Sequence, residues 1–160
     1  MEESNLAILV DAKREYTKQL INLLKPHIYN DFKNIYTEAK KYSNLNNSID
    51  KIQSKLQLDL SEIPKWNQEI ILDKYNKIIG SCDWFSDLLT AVFLSHTRIL
   101  SSIKNNNSKK KIDLLVPKND HFVHLCYIGL ARLFYKMPYL FDDSLSRNDI
   151  LLNRKPIENI

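Results

Sequence analysis

The residues of widest chemical range in this chain are four histidines and two cysteines, and three of them stand close together: His121, His124 and Cys126. Zinc takes such ligands, and His96 and Cys82 could join from an earlier segment. His121 and His124 are three residues apart and share a helix face, whereas Cys126 points elsewhere at roughly 100° per residue. One ion could not easily collect all three, so the histidines are read as capping or hydrogen-bonded groups, and neither a metal nor a cofactor is expected. A cysteine nucleophile needs an electropositive, partly exposed setting. Cys126 falls in an apolar pattern and Cys82 stands beside Asp83, so both thiols are expected to be inert. Asp83 and Asp87, four residues apart, could share acid–base work. The plainer reading puts Asp83 at a helix start and pairs Asp87 with Arg98 or Arg132, because a carboxylate among apolar neighbours needs a partner. With no glycine-rich phosphate loop present, no catalytic residue is assigned and the chain is read as a non-enzyme.

Two surfaces remain for binding. Lys104, Lys109, Lys110, Lys111 and Lys118 form a basic stretch that could touch phosphates. No aromatic residue interleaves it, so base stacking has no support. It carries the alternative reading, a nucleic-acid-associated factor in transcription or packaging. The run from Phe134 to Phe141 (FYKMPYLF) must pack partly inward as a helix ends. Whatever stays outside, from Tyr135, Met137, Tyr139 and Phe141, makes a patch suited to a protein partner.

The elements that must position these residues read as helices. Spacings of three and four predict a helix from about Asn5 to Leu24, stopped by Pro26, and a second carrying Ile28, Phe32, Ile35, Tyr36 and Ala39. Ser43 to Ser48 reads as a loop. A third helix over about Ile49–Leu60 follows, then a fourth opened by Pro64 with a stripe of Ile63, Trp66, Ile70, Leu72, Tyr75 and Ile79. Gly80 is read as a left-handed stop. A fifth helix, Cys82 to Ile103, is apolar on most sides and so is expected at the centre of the fold. Asn105 to Lys111 is a loop, and residues 111–117 hold at most one short extended segment. The sixth helix starts near Asn119 or Asp120, carries Phe122, Val123, Leu125, Cys126, Leu130, Leu133 and Phe134 inward, and stops at Pro138. Ser146 and Asp149 suggest a capped final segment. The expected architecture is all-α: one bundle of about six to seven helices around 82–103, with a helical domain over 1–145 and a C-terminal helical segment over 146–160 that could begin a tail.

Composition agrees with this. At 160 residues, 44% apolar and 10% aromatic, the chain suits one domain with a real core and is too apolar for a disordered one. Its 23 basic residues are 18 Lys and 5 Arg, and Asn and Ile are also frequent, a bias that A/T-rich codons explain. The net charge of +4 is therefore weak evidence for nucleic acid. Two cysteines in helical patterns suit free thiols in a reducing compartment. No leader is visible before Leu6, and Trp84 to Leu94 is too short for a bilayer. The expected location is intracellular and soluble.

Three stretches taken together resemble a known family: DAKREYTKQLINLLKPHIYNDFKNIY from Asp11, CDWFSDLLTAVFLSHTRILSSI from Cys82, and KKIDLLVPKNDHFVHLCYIGLARLFYKMPYLF from Lys110. They are similar to an uncharacterised helical family of nucleocytoplasmic large DNA viruses, the giant viruses, across nearly the whole chain. That resemblance brings no catalytic motif. It implies a setting in the host cytoplasm, in the virus factory, or in the virion. The reading reached is a viral scaffold or adaptor that binds other viral proteins or itself as a homo-oligomer, without spanning a membrane.

Overall fold

The computed structural model describes residues 2–43, 48–104 and 114–141, the side chains of residues 2–4 and 104 excepted. Five helices follow in order: α1 (Glu2–Ser43), α2 (Ile49–Glu62), α3 (Gln68–Ile79), α4 (Phe85–Lys104) and α5 (Asn119–Lys136). Short 3₁₀ turns cover Ile63–Lys65 and Pro138–Phe141, and there is no strand among the described residues. The all-α class therefore stands. The expected stretch 146–160, the loop lysines and residues 111–113 lie outside the described residues.

The largest departure from expectation is α1, one 42-residue helix that runs through Pro26 where two helices were expected. Proline removes the hydrogen bond to the carbonyl of Asn22 and crowds the preceding turn. Burial outweighs that loss. Leu20, Leu24, Ile28, Phe32 and Tyr36 form an unbroken row at four-residue spacing, all buried, with Ala39 continuing it. A turn at Pro26 would swing half of that row out of the core, while Pro26 itself faces solvent. Pro26→Ala is accordingly expected to stabilise the protein by about 2 kcal/mol, restoring one helical bond at an exposed site. Thermal unfolding followed by circular dichroism checks this.

A second departure lies at Pro64. It sits in the 3₁₀ turn, and α3 begins only at Gln68, capped by the Asn67 side chain accepting from the Ile70 amide at 3.0 Å. The break resets the helical phase. Ile71 and Ile78 enter the core, while Ile70 and Leu72, expected inside, face outward. Gly80 is right-handed (φ −58°), and its amide bonds to the Asn76 carbonyl, so the expected left-handed stop is absent.

Nor is α4 the centre of the bundle. Its first turns are buried through Phe85, Leu88 and Leu89, but Trp84 just before it and Ile103 near its end are exposed. It packs chiefly along α1, with Lys13 donating to Nδ1 of His96 at 3.0 Å. Residues of more than one side of the helix enter the core: Phe85, Leu88 and Leu89 are buried, and Val92 and Phe93 pack against it. Aromatic side chains of α1, α5 and the closing turn meet in the core. Phe32 stacks on Tyr127 and meets Phe134 edge-on at 5.1 Å, and Phe134 in turn meets Phe141 at 4.9 Å. Among the described residues no helix is long and apolar enough to cross a membrane.

Candidate functional site

Of the apolar residues expected on α5, Phe122, Val123, Cys126, Leu130 and Phe134 are buried or pack against the core, while Leu125 and Leu133 do not. Val123, His124, Tyr127, Ala131 and Phe134 are buried. Leu125 and Leu133 are 48% and 39% exposed, and Gly129 lies midway between them, one turn from each. An apolar groove of about 390 Å³ opens along this row. Its α5 wall is Leu125, Cys126, Gly129, Leu130 and Leu133, and its α1 wall runs from Ile21 through Leu24, Lys25 and Ile28 to Tyr29. Phe32, Phe134 and Phe141 complete the lining. At 1.5 Å per residue the walls extend roughly 13 to 17 Å, about three helical turns.

Gly129 gives the groove its depth. A Cβ placed there would meet nothing within 4 Å. A glycine inside a helix costs about 1 kcal/mol relative to alanine, so this helix carries that cost at a site where a larger residue would fit. Gly129→Ala is expected to raise stability by about 1 kcal/mol for the same reason.

Cys126 on the groove wall is half-buried, and its apolar surroundings push the thiol up to about 11. The fold thus holds the neutral thiol. Its contribution is complete below the ordinary thiol value of 9.0 and is lost as pH rises from there towards about 11. Melting temperatures should fall more steeply over that window in the wild type than in Cys126→Ala, and iodoacetamide should label native Cys126 slowly near pH 8, roughly the ordinary thiol range. Burial and the nearby Asp83 also raise the Cys82 thiol.

The other expected sites are dispersed. His124 stacks on Trp66 and hydrogen-bonds the Ile63 carbonyl at 2.9 Å, a structural tie between α5 and the turn after α2. His121 is exposed, and His96 lies on α4 against Lys13. Among the described residues no group of three or more metal-ligating side chains comes together. Asp87 is exposed, and no ion pair joins it to Arg98 or Arg132, which correct the expectation of a buried carboxylate. The ion pair that does bind helices together was missed: Asp31 of α1 accepts from Lys74 of α3 at 3.0 Å and from the Tyr127 hydroxyl of α5 at 2.6 Å. Burial, together with that contact, holds the Tyr127 phenol far above its usual range.

Of the aromatic run, Tyr135 and Tyr139 are outward, 47% and 50% exposed. Met137 is half-buried, and Phe141 is buried against Tyr36 and Phe134 while lining the groove end. Of the basic stretch, Lys118 is exposed just before α5, the Lys104 side chain is outside the described residues, and Lys109, Lys110 and Lys111 are outside them entirely.

The profile of a family of unknown function (DUF5764) matches residues 6–142. The chain belongs to that family. The matched span takes in α1 to α5 and the closing turn at Phe141, and so every residue that lines the groove. No curated protein matches the chain, and no solved structure does.

Proposed function

We propose that this chain is a non-enzymatic helical adaptor or scaffold that receives another protein on the groove between α1 and α5. The observation that carries the reading is the groove itself: open, apolar, three turns long, and deepened by a glycine where alanine would fit. Grooves of this shape take the apolar face of one helix, side chains at i, i+3 or i+4 and i+7 entering in turn. Tyr135 and Tyr139, exposed at the end of α5 and just beyond it, are not part of the groove lining and offer a separate pair of aromatic groups of the kind that anchor interfaces. Support for placing this role in a viral setting, in the cytoplasmic factory or the virion, comes from the resemblance to the giant-virus family.

The test fills the groove. A Cβ at Gly129 meets nothing within 4 Å, so Gly129→Trp should leave the helical spectrum and melting temperature intact. Helical peptides selected from a displayed library on the wild type should lose at least about tenfold in affinity on this variant. Peptides that bind both proteins alike would remove the groove as the partner site, and indifference to Tyr135→Ala with Tyr139→Ala would remove the aromatic pair.

A further inference from the structure

Among the described residues, the charges around the groove are of one sign. Lys25 is part of its α1 wall. Where the groove ends at Ile21, a shallower depression continues along α1, lined by Lys13, Arg14 and Lys18. On the other side, Arg132 follows Gly129 by three residues and Lys136 follows Leu133 by three, so both stand on the edge of the Leu125–Gly129–Leu133 row. Both are exposed, and among the described residues neither has an ion pair, nor do Lys18 and Lys25.

Among the described residues the acids nearby are few and already engaged. Between Lys13 and Lys33, α1 carries only Glu15, which accepts from Gln19, and Asp31, held by Lys74 and Tyr127 on another face. Asp11, one turn earlier, lies 3.6 Å from Arg14. The one acid in α5 is Asp120, which accepts from Gln68 of α3. Gln68 lowers that carboxyl further, keeping it ionised where it is. Among the described residues, the apolar trough with cations along both rims therefore lacks carboxylates of its own.

We infer that the occupant of the α1–α5 groove is an amphipathic helix of a partner protein whose apolar face is flanked by Asp or Glu. This rests on the proposed protein-binding role of the groove and specifies the partner's chemistry. The apolar side chains enter over Gly129, and the flanking carboxylates reach Lys25 and Lys18 on one rim and Arg132 and Lys136 on the other. A second copy of this chain fits poorly, because its own groove would bring lysine and arginine against lysine and arginine, and like charges in apposition are repelled. A small amphipathic anion would satisfy one cation. The basic groups here are spread along both walls, as a helix would need.

The probes are two synthetic helices of about 18 residues, long enough to hold helix. They share one leucine face at i, i+3, i+4 and i+7, flanked by Glu in one and by Lys in the other. Fluorescence anisotropy on the full chain should show the acidic helix binding at least about tenfold more tightly, the gap closing as salt rises. Lys25→Glu with Arg132→Glu should reverse the order, and Gly129→Trp should abolish both. Equal affinities for the two helices would overturn the acidic flank while leaving the groove as a helix seat. Binding of neither would overturn the protein-binding role beneath it. Three further results would reassign the occupant and so defeat the inference. One is groove-dependent binding of anionic phosphatidylglycerol vesicles without peptide binding. Another is a dimer by light scattering that Gly129→Trp dissolves. The last is peptide binding that emerges only after Ile150, Leu151 and Leu152 are replaced by Ser.

Discussion

Phe32→Ala is expected to destabilise the protein by about 4 kcal/mol, the upper range for truncating a fully buried aromatic ring. Phe32 is 1% exposed and lies where α1, α5 and the closing turn converge. Its ring contacts Tyr127 at 5.9 Å and Phe134 at 5.1 Å, so truncation empties a space that two rigid rings cannot fill by relaxing. Against a total stability of about 5–15 kcal/mol, such a loss leaves a marginal fold. Urea unfolding should show a lowered midpoint with an unchanged slope. Phe32→Leu should recover most of the loss, whereas Ile8→Ala, at a site 62% exposed, should change stability by less than about 0.5 kcal/mol. A loss below about 1 kcal/mol for Phe32→Ala would contradict the placement of the core.

Asp31→Ala is expected to cost about 3 kcal/mol by a different route. The carboxylate and its Lys74 partner have side chains only 19% exposed, and Tyr127 is buried. Removing the acid leaves an ammonium and a hydroxyl without their acceptor in a partly dry site, and breaking such a pair costs more than the pair contributes. The Trp66 ring, 5.7 Å from the Lys74 ammonium, offsets part of the loss. Combining Asp31→Leu with Lys74→Met and Tyr127→Phe should return most of the stability, because no uncompensated polar group is then left behind. A double-mutant cycle between Asp31 and Tyr127 should give a coupling near 1 kcal/mol. Additive effects would mean that the three helices are not tied at this point.

Much of the fold was legible in the sequence because a helix is a local object. The apolar spacing of Leu20 and Leu24 and of Ile28, Phe32 and Tyr36, and the stop at Pro138, all lie within a few residues of what they govern. The aromatic run was legible in part. It puts Tyr135, Met137, Tyr139 and Phe141 together as candidates for an exposed patch, whereas Tyr135 and Tyr139 alone face outward and Phe141 is buried at the end of the groove. The Asp31–Lys74–Tyr127 cluster left no trace, since its members stand in three helices and each is ordinary in its own neighbourhood.

The groove illustrates the same limit. Leu125, Leu130 and Leu133 read as core because they are apolar and helically spaced, and one mid-helix glycine was the single signal that something else was there. The sequence by itself determined that this chain is helical, where most helices lie and which side chains are apolar enough to be buried, because those properties depend on residues a turn or two apart. Only the tertiary structure decided that Pro26 would be overridden, that the phase would reset at Asn67, and that the leucines of α5 would border an open trough. Those outcomes depend on how α1 crosses α5 and α3, and on burial shared among residues far apart in the chain, which no local spacing encodes.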